Sequence, residues 1–201
     1  MLILASSKNS SSQKIQQLLN RGAVLVLPSD TFYGFSCLAE NRAAVERVYQ
    51  IKNRPKKKSF IILCADLTMA KKYFIISSEQ EKTIQNYFNN RHSRVTSFIL
   101  KLKKNKLSFF SNTDKEGLAL RLPKDKFLSK IIKDLDAPLI STSCNLSGQQ
   151  ALNNLNKIFS FFNKQKYQAD YLVKLKGYRP KRRPSKIIDI RDPQNLKIIR
   201  G

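Results

Sequence analysis

The stretch Ala23-Val24-Leu25-Val26-Leu27 is an uninterrupted apolar run of strand length, and it is followed at once by Pro28-Ser29-Asp30-Thr31. A short run without polar alternation is typical of a strand that is buried on both faces. The polar residues come at the carboxyl end of this strand, where open α/β sheets usually bind ligands. The sequence therefore predicts an α/β core with a binding loop directly after its first buried strand.

Apolar residues at helical spacing flank this strand. The first set is Ile15, Leu18 and Leu19, after a cap at residues 10–12, and the second lies in residues 43–51. Further helices are predicted from Asp66, from Ser78 with capping-box spacing, and over residues 124–133 and 152–162. Strands are predicted at residues 59–64, 95–102, 118–122, 137–142, 185–190 and 197–199. Helices and strands that interleave in this way favour an α/β fold with a mixed sheet. Without an obvious linker or internal repeat, we expect a single domain over residues 1–201.

The charge of the chain indicates an anionic partner. Its 201 residues carry a formal net charge of +24, with a pI near 10.2. A field of this size attracts polyanions, so RNA or a nucleotide is the expected class of partner. A plainer explanation stays open, because coding bias toward Lys, Asn, Ile and Phe can produce the same excess without any ligand.

Several classes of protein lack support in the sequence. Three widely spaced cysteines and a single histidine, His92, give neither zinc-ligand spacing nor a Ser-His-Asp triad. Neither a P-loop nor a G-x-G-x-x-G motif occurs. We expect Cys144 to be a small packing residue and His92 a solvated loop residue. No apolar run approaches the ~20 residues of a membrane span, and the N-terminus has no signal-peptide pattern, so we expect a cytoplasmic protein without a membrane partner.

Two further segments pair polar side chains at positions i and i+2: Lys52 with Arg54, and Ser143 with Asn145. Alternate side chains of extended backbone point to the same side, so each pair could converge on one ligand. Two cations that face a hydroxyl and an amide are suited to hold phosphates. Because Pro55 favours extended backbone at the preceding residue, Lys52 and Arg54 should lie where a helix gives way to extended chain.

Five motifs in this order resemble the YrdC/TsaC family of threonylcarbamoyl-adenylate synthases. They are Pro28–Gly34, Lys52-x-Arg54-Pro55, Arg121-x-Pro123, Ser141–Gly148, and Pro184–Asp189 ahead of Arg200-Gly201. The resemblance covers nearly the whole chain. It implies a twisted mixed β-sheet with flanking helices around a positively charged cavity.

The resemblance also implies a reaction and its partners. L-Threonine, bicarbonate and ATP would give threonylcarbamoyl-AMP and pyrophosphate, the first step toward threonylcarbamoyladenosine in tRNA. A threonylcarbamoyl transferase complex would act downstream, and tRNA is itself a candidate partner. We expect Mg2+ to bridge the ATP phosphates, without a metal site of protein ligands.

Site residues follow from the resemblance, position by position. The candidate catalytic residues, which would bind the ATP phosphates and the carboxylated intermediate, are Lys52, Arg54, Ser143 and Asn145. Further contacts with ATP would come from Lys58 and Arg200. The residues that would bind threonine are Thr31, Arg121, Ser141 and Ser185. An arginine at position 121 is suited to grip the carboxylate of the amino acid bidentately.

Plainer interpretations of these residues stay open. Thr31 and Ser185 could be turn or cap residues, Asn145 a turn former, and Arg121 a solvated strand end. Asp30 could be a cap or turn residue as readily as a metal ligand or a base.

Two other functions compete with the synthase. One is a non-catalytic basic module that binds RNA, and the other is a related carbamoyl-adenylate chemistry that uses carbamoyl phosphate.

The chain also departs from the family pattern at residues 91–94, where a basic Arg-His-Ser-Arg sequence stands in place of a Trp-Pro-Gly-Pro-like turn. This departure leaves the geometry of that loop open.

Overall fold

The computed structural model describes residues 1–6, 12–90, 92–104, 107, 109–110, 117–178 and 183–201. Its strands are β1 Leu2–Ser6, β2 Leu25–Leu27, β3 Gly34–Ser36, β4 Ile61–Leu63, β5 Phe74–Ile75, β6 Thr96–Leu102, β7 Leu118–Arg121, β8 Leu139–Ser143, β9 Tyr171–Leu175, β10 Lys186–Asp189 and β11 Lys197–Arg200. Its helices are α1 Ser12–Asn20, α2 Arg42–Lys52, α3 Leu67–Tyr73, α4 Ser78–Asn89, α5 Lys126–Leu135 and α6 Leu155–Phe162.

The strands form one mixed sheet in the order β1-β9-β2-β3-β8-β4-β7-β6-β10-β11, and β5 pairs with β6 beside this path. The pairs β1-β9, β9-β2, β4-β7 and β6-β10 are parallel. The pairs β2-β3, β3-β8, β8-β4, β7-β6 and β10-β11 are antiparallel. The predicted mixed sheet with flanking helices is confirmed.

The core is apolar on both sides of the sheet. All of β2 is buried, as the uninterrupted run of apolar residues predicts, and Phe35 of β3 packs edge-on against Phe162 of α6. Helix α1 contacts α5 and buries Ile15, Leu18 and Leu19. A fully buried side chain of this size contributes about 1.5–3 kcal/mol through the hydrophobic effect, so these helices are stabilised mainly by their apolar faces.

Most predicted elements are present, with shifted ends. Helix α4 begins at Ser78 as predicted, but its N-cap is Ser77, which forms a capping box with Gln80. Strands β1, β3, β5 and β9 were not predicted. Helix α1 is confirmed with its apolar face and its end at Gly22, where φ is +81°, but residues 10 and 11 of its expected cap lie outside the described residues.

Three small observations bear on the excluded classes of protein. Among the described residues, no helix has the length and apolar character that a membrane crossing requires. Cys37, Cys64 and Cys144 are free thiols, and all three are buried. Burial raises the pKa of the Cys144 thiol, so the predicted packing role of this residue fits its surroundings.

Candidate active site

The central strands of the sheet form the wall of a cavity of about 340 Å³. Strands β3, β8, β4, β7, β6, β10 and β11 are consecutive in the sheet, and each contributes at least one lining residue. The loop after β2 and the loop after α2 complete the wall. Seven of the predicted site residues line this cavity, namely Thr31, Arg54, Arg121, Ser141, Ser143, Ser185 and Arg200.

Arg121 is the most enclosed cation of the cavity. It ends β7, only 2 % of the residue is exposed, and the expectation of a solvated strand end is therefore wrong. Its Nη1 donates to Thr31 Oγ1 at 3.3 Å, and its Nη2 lies 3.5 Å from Asp30 Oδ1. Within the described residues, Nε and Nη2 of Arg121 and Oδ1 of Asp30 are buried without a hydrogen-bond partner. A buried guanidinium at a cavity wall with two nitrogens outside any hydrogen bond is suited to bind a carboxylate.

The loop after β2 is held in place by its own hydrogen bonds. Ser29 Oγ donates to the carbonyl of Phe32 at 2.6 Å and lies 3.1 Å from Thr31 Oγ1. Asp30 Oδ2 accepts from the backbone N–H of Lys124 at 2.9 Å. Asp30 thus joins this loop to the segment after β7, and Thr31 Oγ1 is brought to the cavity beside Arg121.

Close packing at β3 brings this loop against β8. A Cβ at Gly34 would lie 2.9 Å from the carbonyl oxygen of Thr142 and 3.2 Å from Ser141 Oγ. Gly34 pairs with Ser143 in the ladder, so the hydroxyls of β8 reach the cavity directly beside the loop. A larger residue at position 34 would push Ser141 away from this wall.

Arg54 lines the cavity from the segment after α2. Its Nε donates to the carbonyl of Lys58 at 2.9 Å, and its Nη2 donates to the carbonyl of Ser59 at 2.8 Å. The guanidinium carbon lies 5.3 Å from the centre of the Phe60 ring, a cation–π contact. Partial burial lowers the pKa of Arg54, which nevertheless stays protonated at any physiological pH. Arg54 therefore presents a fixed positive charge to the cavity.

Lys52 has a different position from the one that the i, i+2 pattern indicated. It is the last residue of α2, and Asn53 has a left-handed backbone with φ of 46°, so Lys52 and Arg54 do not alternate along an extended segment. Lys52 is 1 % exposed and is not among the residues that line the cavity. The expected alternation of the two cations along extended chain is wrong for this structure, and a contact of Lys52 with ATP stays a prediction.

The ammonium of Lys52 instead binds the S-x-N segment. Its Nζ donates to the carbonyl of Ser143 at 2.6 Å, the carbonyl of Asn145 at 2.8 Å and Asn145 Oδ1 at 3.1 Å. Ser143 Oγ donates to the same Oδ1 at 2.6 Å. Asn145 is thus more than a turn former, because its amide oxygen links Lys52 to the hydroxyl of Ser143. Lys52 and Asn145 lie behind the cavity wall that Ser143 forms.

Ser185 and Arg200 close the other end of the cavity. Arg200 Nη2 donates to Ser185 Oγ at 3.0 Å, and Arg200 Nε donates to the Ser185 carbonyl at 2.9 Å. Burial lowers the pKa of Arg200, and the charges of Arg94 and Arg121 add to this effect. Ser185 is therefore a cavity residue with a hydrogen-bonded hydroxyl rather than a simple turn residue.

Lys58 is the remaining predicted site residue. Its side chain is exposed and is not among the lining residues, although its carbonyl is bound by Arg54. The contact of Lys58 with ATP stays a prediction.

A family model described as "Telomere recombination", the Sua5/YciO/YrdC model, matches residues 17–201. The chain belongs to the Sua5/YciO/YrdC family. Its curated relatives include the threonylcarbamoyl-AMP synthase of Vibrio vulnificus, 27 % identical over 94 % of this chain and 98 % of the relative. The threonylcarbamoyl-AMP synthase of Neisseria gonorrhoeae is 25 % identical over 90 % of this chain and 91 % of the relative.

Solved structures of the Sua5/YciO/YrdC family have the same fold. E. coli YciO superposes with a TM-score of 0.82 at 22 % identity and covers 100 % of this chain and 96 % of its own. P. abyssi Sua5 complexed with L-threonine superposes with a TM-score of 0.82 at 18 % identity, and the match covers 100 % of this chain and 57 % of the Sua5 chain.

The structure also adds residues that sequence motifs did not indicate. Ser97 Oγ lies 3.0 Å from Ser185 Oγ, and the Tyr178 hydroxyl donates to the carbonyl of Ser29. Burial raises the pKa of Tyr178, so its hydroxyl stays a donor. Neither residue carries a sequence signal, because each contact joins segments far apart in the chain.

A second, larger groove lies near the N-terminus. It has a volume of about 700 Å³ and is lined by residues of α1, α2 and the segment before β9. Its Arg47 is bound bidentately by Asp170, at 3.0 and 2.8 Å, so this charge is already neutralised. The smaller cavity, with its three arginines and its hydroxyls, is the better candidate for an anionic substrate.

Proposed function

We propose that the protein is a threonylcarbamoyl-AMP synthase, which converts L-threonine, bicarbonate and ATP into threonylcarbamoyl-AMP and pyrophosphate. Membership of the Sua5/YciO/YrdC family and relatives of that name along nearly the whole chain support this function. The observation that carries the proposal is Arg121, whose buried Nε and Nη2 lack hydrogen-bond partners among the described residues at the cavity wall. These donors match the carboxylate of an amino acid.

Threonine would bind at this end of the cavity. Arg121 would hold its carboxylate through the planar fork of the guanidinium. The hydroxyls of Thr31, Ser141 and Ser185 line the same cavity and can bind the remaining polar groups of the amino acid. P. abyssi Sua5 has been crystallised with L-threonine, which supports threonine as the ligand of this fold.

Arg54 and Arg200 would bind the nucleotide, with Lys58 at the exposed rim. In the reaction, the neutral amine of threonine attacks the carbon of CO2 and releases a proton, or attacks bicarbonate with loss of water. An oxygen of the resulting carbamate then attacks the α-phosphorus while pyrophosphate leaves. Negative charge develops on the phosphoryl oxygens and the leaving group, so fixed cations are the main requirement. Lys52 would act by holding the S-x-N segment, so that Ser143 keeps its place in the wall.

Magnesium is part of the proposal as a companion of ATP. Mg2+ is usually bound by substrate phosphates together with one or two carboxylates. Among the described residues, no three His, Cys, Asp or Glu side chains are gathered in one place. We propose that the ion enters the cavity bound to the ATP phosphates.

We further propose a single domain, a cytoplasmic location, and transfer of the product to a threonylcarbamoyl transferase complex that modifies tRNA. The competing RNA-binding module is supported by the net charge of +24. It does not account for the buried Arg121, whose Nε and Nη2 lack hydrogen-bond partners among the described residues of the cavity.

Pyrophosphate release from ATP, with threonine and bicarbonate each omitted in turn, tests the proposed function. We expect release that requires both substrates. Release that continues without threonine would contradict the synthase and indicate an ATP hydrolase. Release supported by carbamoyl phosphate in place of threonine and bicarbonate would favour the related carbamoyl-adenylate chemistry, and RNA binding without any release would favour the binding module.

A further inference from the structure

We propose that Arg94 is a positioning residue of the cavity, which fixes the backbone at Pro184 and thereby the places of Ser185 and Arg200. Arg94 itself is not among the residues that line the cavity. The identity of the ligands in this inference rests on the proposed synthase function.

The contact of Arg94 is directed at a single carbonyl. Its Nε and Nη2 donate to the Pro184 oxygen at 2.9 and 2.8 Å, so one planar fork directs two N–H groups at this acceptor. Directly after this contact, the N–H of Lys186 donates to the carbonyl of Val95 at 2.8 Å and the parallel pairing of β6 with β10 begins. Arg94 is therefore the first link between these two strands.

The backbone that carries Arg94 is fixed in turn. Thr96 Oγ1 donates to the Arg94 carbonyl at 2.9 Å, and Ser93 Oγ donates to the Tyr87 carbonyl at 2.6 Å. Lys124 Nζ donates to the Asn90 carbonyl at 2.8 Å and lies 3.1 Å from Ser93 Oγ. The backbone that carries this guanidinium is thus hydrogen-bonded to the end of α4 and to the segment before α5.

On the cavity side, the next residue after Pro184 connects the two proposed ligand sites. Ser185 is 1 % exposed, and its hydroxyl is shared by Ser97 Oγ at 3.0 Å and Arg200 Nη2 at 3.0 Å. A shift of the Pro184 peptide would move this hydroxyl, which is proposed to bind threonine. It would also move the carbonyl that orients Arg200.

Kinetics of Arg94→Ala provide the first test. We expect the Michaelis constant for threonine to rise by on the order of tenfold, the scale of losing a charge-assisted hydrogen bond, with a smaller change in kcat. Arg94→Lys should rescue only in part, because an ammonium cannot reproduce the fork. The matched control is Arg183→Ala, which removes the same charge from an exposed side chain next to Pro184 and should leave the constant unchanged. Equal effects of Arg94→Ala and Arg183→Ala would overturn the inference.

A double-mutant cycle separates positioning from general damage. In the Ser185→Ala protein, the further change Arg94→Ala should raise the Michaelis constant for threonine much less than it does in the wild type, because the hydroxyl that Arg94 positions is gone. Full additivity of the two effects would contradict the proposed route through Ser185.

Amide hydrogen exchange on the ligand-free protein tests the inference without any assay of function. Arg94→Ala should accelerate exchange at Lys186, whereas Arg183→Ala should not. Unchanged exchange in Arg94→Ala would overturn the inference, even if the protein proves to be a synthase. If exchange at Lys186 is accelerated in Arg94→Ala but the wild type shows no threonine-dependent release of pyrophosphate, the positioning role is supported. Only the proposed function is then rejected.

Discussion

Arg54 presents a fixed positive charge to the cavity, and its substitution tests the phosphate end of the proposed site. Arg54→Ala should lower turnover by roughly 10²–10³, the usual effect of losing one preorganised charge-stabilising group. Arg54→Lys should recover only part of this loss, because an ammonium cannot bind the carbonyls of Lys58 and Ser59 with the same fork. Steady-state pyrophosphate release measures both effects.

A stability control belongs with this experiment, because Arg54 also orders the segment that follows it. Urea unfolding of Arg54→Ala would reveal any loss of stability that results when the carbonyls of Lys58 and Ser59 lose their hydrogen bonds. Near-normal turnover in a stable Arg54→Ala protein would mean that this residue only stabilises the end of α2.

Substitution of Arg121 should affect the binding of threonine rather than the binding of ATP. Arg121→Lys retains the charge beside Asp30 but removes the planar fork, so we expect a higher Michaelis constant for threonine and nearly the same constant for ATP. Lysine is the preferable replacement, since Arg121→Ala would leave Asp30 buried without a counter-charge, a loss of about 3–5 kcal/mol. A similar rise in both constants would argue that Arg121 supports the fold instead of binding threonine.

The lowered pKa of Lys52 predicts that the stability of the protein depends on pH. Burial lowers its pKa from 10.5 to about 8, an effect that Arg54 increases and Cys144 opposes. Between these two values the unfolded chain binds more protons than the folded protein, so the contribution of Lys52 to the free energy of unfolding rises with pH in this window. The rise should be about 3 kcal/mol.

Urea unfolding of wild type and Lys52→Met, from pH 7.5 to 10.5, isolates this contribution, because the other titrating groups are common to both proteins. The wild type should gain stability relative to Lys52→Met as the pH increases. Parallel curves for the two proteins would show that Lys52 is not the source.

At the scale of the element, the end of α2 depends on Asn53. Its left-handed backbone, with φ of 46° and ψ of 50°, lets its N–H cap the helix and turns the chain from Lys52 toward Arg54. Asn53→Gly should be tolerated, whereas Asn53→Val should cost about 1–2 kcal/mol and also lower turnover, since it displaces residues on both sides. Asp136 ends α5 in the same conformation, with φ of 45°. Asp136→Val should lower the free energy of unfolding and leave turnover unchanged. If turnover falls as much in Asp136→Val as in Asn53→Val, the effect of Asn53 on the site is not specific.

Elements of clear periodicity were predictable from the sequence, and short strands were not. Helix α1 and strand β2 have strong apolar patterns, and both are present. Strand β9, which lies between β1 and β2 in the sheet, was missed because its five residues Tyr171–Leu175 follow a segment without a clear turn signal. Strand β3 was missed because its three residues follow the polar loop directly, and its pairing with β8 comes from tertiary contacts.

Site prediction failed where it assumed a backbone conformation. Seven of the ten residues that the motifs selected meet at one cavity, because six of them lie in or near strands of the sheet and Arg54 reaches it from the segment after α2. The i, i+2 rule holds only for extended chain, and the left-handed Asn53 breaks it between Lys52 and Arg54. The burial of Lys52 and the hydrogen bonds of Arg94 depend on segments about ninety residues away, which no local pattern can indicate.

For the whole molecule, the net charge of +24 predicts that two activities respond to salt to different degrees. If the exposed cations form an RNA-binding surface, the affinity for tRNA should fall steeply with salt, because each neutralised phosphate releases condensed counterions. Synthase turnover should respond far less, since the cations of the cavity are partly shielded from screening. Fluorescence anisotropy with tRNA, beside the pyrophosphate assay in the same salt series, measures both.

An unstructured RNA of equal length is the control for recognition. If it binds as tightly as tRNA, the basic surface attracts nucleic acid without recognising its shape. Compositional bias would then be the better explanation of the charge.

The pairing of β1 with β9 has a kinetic consequence. Leu2 pairs with Tyr171, and the cavity wall joins β3 to β10 and β11, so contacts between distant parts of the chain dominate the fold. Chains of this kind fold slowly, because loop closure must precede the contacts that stabilise it. During refolding from urea, helical circular dichroism should therefore return before threonine binding does, and the interval between the two signals would measure how late the sheet is completed.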